Sequence, residues 1–314
     1  MNYWLALPQS VQIALLVIGI LLSFASLTSI WLAYSRPGRD YQELRLRIRT
    51  WWLIVAVFVA AILFNRTVSV TILGFVSFLA FKEYLSLVPT RRADHRVLFW
   101  AYLSIPVQFY WAWMGWYGLF IIFIPVYMFL LLPMRMILIG ETQGFLRAIG
   151  TLQWGLMITV FSLSHMAFML VLPPETNPAG GAMGLLIYLV FLTEINDVAQ
   201  YIWGKSLGKR KIAPKVSPNK TAAGFLGGVI STTLLAVVLA PWLTPLLPHE
   251  ALGAGVLIGL AGFVGDVTIS ALKRDLGVKD SGAMLPGHGG ILDRLDSLTY
   301  TAPLFFHYVF FLHY

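Results

Sequence analysis

Apolar runs broken by short polar or basic stretches recur along the whole chain. A helix rises 1.5 Å per residue, so about 20 residues are needed to cross about 30 Å of hydrocarbon. Ten runs approach that length: 11–34, 51–65, 68–87, 97–114, 116–133, 151–172, 182–196, 222–241, 252–269 and 298–314. The second, fourth, seventh and last are short enough to be tilted or partly buried, and two of the ten are candidates for re-entrant segments. The pattern predicts an all-α, polytopic integral membrane protein of about nine or ten transmembrane helices. The first run is followed by "SRPGRDYQELRLRIR" rather than by a small-residue cleavage site, so it is read as a membrane helix kept in the fold and not as a signal peptide.

Composition agrees with the pattern. The chain has 314 residues, of which 58% are hydrophobic and 11% charged, where soluble domains run near a quarter charged. A cytosolic globular enzyme and a disordered chain are both excluded. The absence of cysteine excludes disulfide scaffolds, thiolate zinc sites and cysteine nucleophiles. The net charge of +8 is informative by position. With ten spans and the N-terminus outside, the basic loops 35–50, 88–96, 134–150, 197–221 and 270–297 share one face, and of 22 Lys and Arg only Arg66 falls on the other. Retention of Lys and Arg on the cytoplasmic side accounts for this asymmetry. It leaves no separate basic domain for nucleic acid.

The aromatic stretch "WAYLSIPVQFYWAWMGWYG" reads as an interfacial belt. No internal repeat, phosphate-binding P-loop, dinucleotide glycine fingerprint or His-x-x-x-His pair is present. Residues 1–150 read as a scaffold of transmembrane helices with a role in lipid access. Residues 151–314 read as the catalytic region, because nearly all the polar density in or beside spans lies after 190.

Two segments there carry the chemistry. In residues 196–228, Asn196 and Asp197 end an apolar span and a basic, glycine-punctuated loop follows. Ser217 before Pro218 is expected to cap the next helix, which puts Lys220 and Thr221 in a first turn whose free amides suit an anion such as polyphosphate. An ordinary cap beside a positive-inside loop explains this segment equally well. Residues 265–297 hold five Asp out of fourteen acidic residues in the chain. Asp266 ends an almost wholly apolar run, where a carboxylate is costly unless it is paired or bound to a cation. Asp293 and Asp296 are three apart and share a face on a helix. Carboxylates without His or Cys ligands suit a hard divalent cation such as magnesium, with a second cation allowed. Lys273, Arg274, Lys279 and Arg294 interleave these acids with groups that hold phosphate oxygens. His288 sits in the "PGHGG" turn, either as a donor to pyrophosphate or as a brace for the loop. On the residues alone, an ion-coupled transporter using Asp197 and Asp266, or a non-catalytic membrane scaffold, are competing classes.

The stretch from Ser270 to Asp296 resembles the C-terminal motif of phosphatidate cytidylyltransferases, the CDP-diacylglycerol synthases. The pattern Ser-x-x-Lys-Arg-x4-Lys-Asp followed by Pro-Gly-His-Gly-Gly-x-x-Asp-Arg-x-Asp is met at Ser270, Lys273, Arg274, Lys279, Asp280, Pro286, Gly287, His288, Gly289, Gly290, Asp293, Arg294 and Asp296. The upstream segment is similar in Asp197, Tyr201, Gly204, Gly208, Lys209, Ser217, Pro218, Lys220, Thr221, Gly224 and Gly228. The resemblance covers about residues 196–297. It implies magnesium-dependent transfer of CMP from CTP to phosphatidic acid, giving CDP-diacylglycerol and pyrophosphate. Metal then falls to Asp266 and Asp293, and substrate phosphates to Ser217, Lys220, Thr221, Lys273, Arg274 and Arg294, with Asp197 beside them. Asp280, Asp296, Lys279 and His288 are placed in the catalytic machinery. The expected partners are CTP, phosphatidic acid or another lipid phosphate, membrane lipids and a second copy in a homodimer. The expected setting is a bacterial inner membrane with the site facing the cytoplasm. Where that family usually has Glu before the serine of Ser-x-x-Lys-Arg and Glu before the glycine after Lys-Thr, this chain has Ile269 and Ala223, and Gln200 replaces a small residue before the tyrosine. A divergent paralogue acting on another lipid phosphate fits those departures.

Overall fold

The computed structural model describes residue 4 and residues 7–35, 41–91, 95–287 and 289–314. All ten apolar runs are helices: α1 Gln9–Ser35, α2 Gln42–Leu63, α3 Arg66–Leu87, α4 His95–Met114, α5 Tyr117–Ile137, α6 Phe145–Met169, α7 Gly181–Leu207, α8 Ala222–Leu243, α9 Pro248–Asp275 and, after a single turn α10 at Leu292–Leu295, α11 Leu298–His313. Eight of them are long and apolar enough to cross a membrane. The other two are α4, of 20 residues, and α11, of 16. Among the described residues there is no strand beyond two isolated bridges.

Three helices extend furthest beyond the apolar pattern. Helix α2 begins nine residues before 51, α7 runs past Asp197 to Leu207, and α9 runs past 269 to Asp275. Hydropathy ends a span at its first charged residue, whereas the backbone ends a helix only where a breaker or cap intervenes, here Gly208 for α7. Asp197, Gln200, Lys273 and Arg274 therefore project from rigid helix ends and not from loops.

Helices α7, α8 and α9 form the centre of the C-terminal half and approach closely through small residues. A Cβ on Gly255 would meet the Thr233 Cα at 2.6 Å, and one on Gly259 would meet the Val229 Cα at 3.0 Å. Close approach lets polar groups bridge the helices inside the apolar bundle, where association relies on packing and hydrogen bonds. Tyr188 donates to the Ala236 carbonyl at 3.0 Å, Thr232 to Asn196 Oδ1 at 3.2 Å, and Asn196 Nδ2 to the Gly259 carbonyl at 3.3 Å. The core is aromatic, with Phe81, Tyr84, Phe120, Tyr188, Phe305 and Phe306 fully buried.

The N-terminal helices pack directly on this core. Ser77 donates to the Thr159 carbonyl at 2.7 Å, in a widened π turn of α6 (Met157–Phe161), and Tyr84 donates to the Thr151 carbonyl at 2.8 Å. Helix α3 begins with an Asn65 cap that accepts from Val68 N at 3.0 Å, and near its C-terminal end Glu83 meets the segment that follows α9.

The close approach of α7 to the end of α8 at Gly184 is testable. A Cβ on Gly184 would run into the Leu243 carbonyl, while one on Gly150 meets nothing within 4 Å. Gly184→Ala is expected to lower stability by about 1–3 kcal/mol, read as a drop in the thermal unfolding midpoint in detergent. Gly150→Ala should leave it unchanged or raise it.

Candidate active site

The upstream segment leaves α7 at Gly208 and folds back on itself. Ile212 N donates to the Lys220 carbonyl at 3.1 Å and Ala222 N to the Arg210 carbonyl at 2.9 Å, which closes residues 210–222 into a short hairpin-like loop. The expected cap at Ser217 is not formed. Lys220 N donates to the Ser217 carbonyl at 3.2 Å, so Ser217–Lys220 is a turn lying before the helix. The cap is Thr221, whose Oγ1 accepts from Gly224 N at 3.1 Å. The physical reason is the reversal: Pro218 and Asn219 fit a turn, and the chain becomes helical only after it. Gly208 lies against Thr221 with no room for a Cβ, so the cap is pressed onto the end of α7.

Lys220 then reaches across to α7 and α9. It donates to Gln200 Oε1 at 2.9 Å and forms an ion pair with Asp266. Asp266 also accepts from Ser270 Oγ at 3.2 Å. Asp197 accepts from Ser297 Oγ at 2.9 Å through Oδ2, while its buried Oδ1 has no partner. Asp296 accepts from Ser297 N at 2.8 Å. Burial, and then the Asp266 and Asp197 carboxylates, push Asp296 well above the ordinary carboxylate range. Asp197, Asp266 and Asp296 thus come together around Lys220 and Arg294. Among the described residues no three His, Asp or Glu side chains form a ready-made metal cage.

Asp293 belongs to a second, adjoining cluster. It takes Lys273 Nζ at 2.7 Å on Oδ1, and Ser281 N at 2.8 Å and Gly290 N at 3.0 Å on Oδ2. Burial raises its carboxyl, and Lys273 with the two amides outweighs that, leaving it below the ordinary range. The three-residue spacing from Asp296 therefore serves two neighbouring clusters, with Asp293 on the single turn α10 and Asp296 just past it. Arg274 ties the two motif segments together, donating to the Val216 carbonyl at 3.2 Å and the Val278 carbonyl at 3.3 Å. Lys279 and Asp280 stand exposed on the intervening loop, outside both clusters. His288 lies outside the described residues.

Three residues given no site role by the sequence reading join the site. Glu83, from α3, accepts from Ser281 Oγ at 2.5 Å, Leu292 N at 2.9 Å and Ile291 N at 2.9 Å. Glu194, one turn before Asp197 on α7, is within electrostatic reach of Asp197 and Arg294. Gln200 holds Lys220, and its Nε2 is buried without a partner. A signal was available for Glu194, since an acid inside an apolar run is costly without a purpose. The departures have plain locations: Ile269 is fully buried in the apolar core, and Ala223 lies half-buried in the first turn of α8.

Residues 45–312 match the Cytidylyltransferase family, and the chain belongs to that family. It is 47% identical over 289 residues, 92% of this chain and 95% of the relative, to an Escherichia coli (strain K12) protein named "Uncharacterized protein YnbB". It is 44% identical over 138 residues to a phosphatidate cytidylyltransferase of Synechocystis, covering 43% of this chain and 46% of that enzyme. It is 42% identical over 132 residues to one of Haemophilus influenzae, covering 40% of this chain and 46% of that enzyme. The match thus spans less than half the length of these two named enzymes.

The Lys273–Asp293 pair generates a double-mutant test. Its side chains are 12% and 6% exposed, so removing one partner strands a buried charge. Lys273→Met and Asp293→Asn are each expected to destabilise, the first by about 3–5 kcal/mol. The double variant should lose less than the sum of the two in thermal unfolding.

Proposed function

We propose that this member of the cytidylyltransferase family transfers CMP from CTP to a membrane lipid phosphate, with phosphatidic acid as the first candidate acceptor and CDP-diacylglycerol and pyrophosphate as products. The carrying observation is the gathering of Asp197, Asp266 and Asp296 with Lys220 and Arg294 at one end of a membrane helix bundle, beside Lys273 and Asp293. In the step proposed, an oxygen of the lipid phosphate attacks the α-phosphorus of CTP. The new P–O bond forms as the bond from that phosphorus to the bridging oxygen breaks, and pyrophosphate leaves with its electron pair. The lipid phosphate is itself the nucleophile, so no protein nucleophile is needed.

The barrier is largely the repulsion of two anions, and the cationic side chains oppose it. Lys220, Lys273, Arg274 and Arg294 are assigned to phosphate oxygens, with Ser217 and Thr221 at the loop beside Lys220. Asp280 and Asp296 are assigned to orienting water, metal or basic neighbours, and Lys279 and His288 belong to the segment that follows α9 in sequence. The donor set fits magnesium. Asp266 and Asp293 each already bear a cation, the ammonium of Lys220 or Lys273, and Asp197 Oδ1 is buried without a donor. Magnesium typically takes one or two carboxylates and leaves its other positions to water and phosphate. Asp266 and Asp293 would hold it, next to Asp197 and Asp296, and when bound it neutralises charge on the triphosphate. Lys220 and Lys273, which pair with those carboxylates, would be the cations nearest at hand for phosphate oxygens. The basic loops point to a cytoplasmic site in a bacterial inner membrane, where CTP enters from water and the lipid from the leaflet.

Purified protein with labelled CTP and a panel of lipid phosphates is expected to release pyrophosphate only with magnesium, and the panel identifies the acceptor. Ion flux in liposomes without nucleotide turnover would instead support a transporter. Asp293→Asn should lower turnover by about tenfold or more, and wild-type turnover at limiting magnesium would remove Asp293 from the ligands.

The orientation is checked separately. Because the chain has no cysteine, single cysteines at Pro174 or His249 should label from outside intact cells, and ones at Lys211 or Lys279 only after permeabilisation. The reverse pattern would deny the site its CTP.

A further inference from the structure

We propose that Glu83, on the N-terminal helix α3, is a positioning residue for nucleotidyl transfer: its carboxylate holds the Ser281 and Gly290–Leu292 segments of the glycine loop so that Asp293 and Arg294 face the reacting phosphates. This rests on the transfer reading above, and it assigns the N-terminal half a part in the chemistry.

Glu83 is 6% exposed, and its three partners are a hydroxyl and two backbone amides, none of which carries charge. A buried carboxylate satisfied only by neutral donors is held by hydrogen bonds that are stronger than those between neutral groups. The amides of Ile291 and Leu292 are orphan donors at the start of the single turn α10, so Glu83 caps that turn from more than 200 positions away along the chain. The glycines of the loop are shaped to this carboxylate. A Cβ on Gly290 would run into Glu83 and Ser281, and one on Gly282 would meet Glu83 Oε2 at 2.8 Å. Helix α2 docks the same loop, since Thr50 donates to the Pro286 carbonyl at 2.7 Å and a Cβ on Gly287 would meet Arg47 at 3.3 Å.

The path from Glu83 to the site is short. Ser281 donates its hydroxyl to Glu83 and its amide to Asp293 at 2.8 Å. Gly290 N donates to Asp293 while the next two amides donate to Glu83. The two carboxylates therefore share one short stretch of backbone, and displacing it from Glu83 moves the donors that orient Asp293 and, through it, Lys273.

The test is Glu83→Gln, an isosteric change that replaces one acceptor oxygen by an NH2 turned toward groups that can only donate, or toward the Ser281 hydroxyl. Hydrogen–deuterium exchange of residues 281–292 should speed by about tenfold. Turnover of CTP should fall by about tenfold, with a higher magnesium requirement and an unchanged KM for the lipid phosphate. Ser281→Ala, which removes one bond and leaves the two amide bonds, should give a smaller change in the same direction and keeps the test open if the glutamine variant unfolds. Unchanged exchange overturns the clamp. Faster exchange with wild-type turnover at limiting magnesium overturns the positioning role. A wild type that turns over no CTP on any lipid phosphate, whatever its exchange pattern, overturns the transfer reading and the role with it.

Discussion

Six carboxylates, on Glu83, Glu194, Asp197, Asp266, Asp293 and Asp296, lie within or against an apolar helix bundle, and each must find cations or donors before the helices can close around it. Water supplies those partners freely at a surface. Inside the bundle the chain must supply them, because an uncompensated charge there is worth several kcal/mol of destabilisation. The partners are shared out accordingly: Lys220 to Asp266, Lys273 and two amides to Asp293, Ser297 to Asp197 and Asp296, and three neutral donors to Glu83. Much of the local architecture, from the length of α9 to the glycines of the loop, follows from delivering these donors.

The same arrangement makes the site ready for anions. Lysines held by carboxylates are cations kept in place before any anion arrives. A polar cluster satisfied only by intramolecular pairs is rigid, so the charges are aimed before the ligand arrives, which is the condition for electrostatic catalysis. Among the described residues, the orphaned oxygen of Asp197, the orphaned Nε2 of Gln200 and the orphaned Nε of Arg294 are the places where this satisfaction is incomplete.

Similarity to the named phosphatidate cytidylyltransferases covers less than half of this chain, whereas similarity to the Escherichia coli relative covers 92% of it. Likeness confined to part of the chain suggests a scaffold attached to a catalytic part. The contacts of Glu83, Thr50 and Tyr84 with residues 151–314 argue otherwise, since α2 and α3 hold the glycine loop and the core directly. Ile269 and Ala223 lie in the same bundle, one in the dry core and one in a first helical turn.

The order of apolar runs determined the ten helices and the all-α membrane class, because a backbone in hydrocarbon must satisfy its own hydrogen bonds and helices do so locally. The density of Asp, Lys, Arg and Gly between 196 and 297 marked the segments whose acids and cations the fold brings together, since charges are placed beside apolar spans only at a cost. Tertiary structure alone decided which acid meets which cation. Asp293 and Asp296, three apart, go to different clusters: Asp293 meets Lys273 and two amides of the glycine loop, and Asp296, just past the single turn α10, lies with Asp197 and Asp266. Ser217 yields its capping role to Thr221 because the chain turns once more before α8 begins. Glu83 reads as one charge near the end of an apolar span, and nothing local reveals that its partners lie some 200 positions ahead. Sequence periodicity reports the face and length of an element, whereas a hydrogen bond between distant segments exists only once the helices have packed.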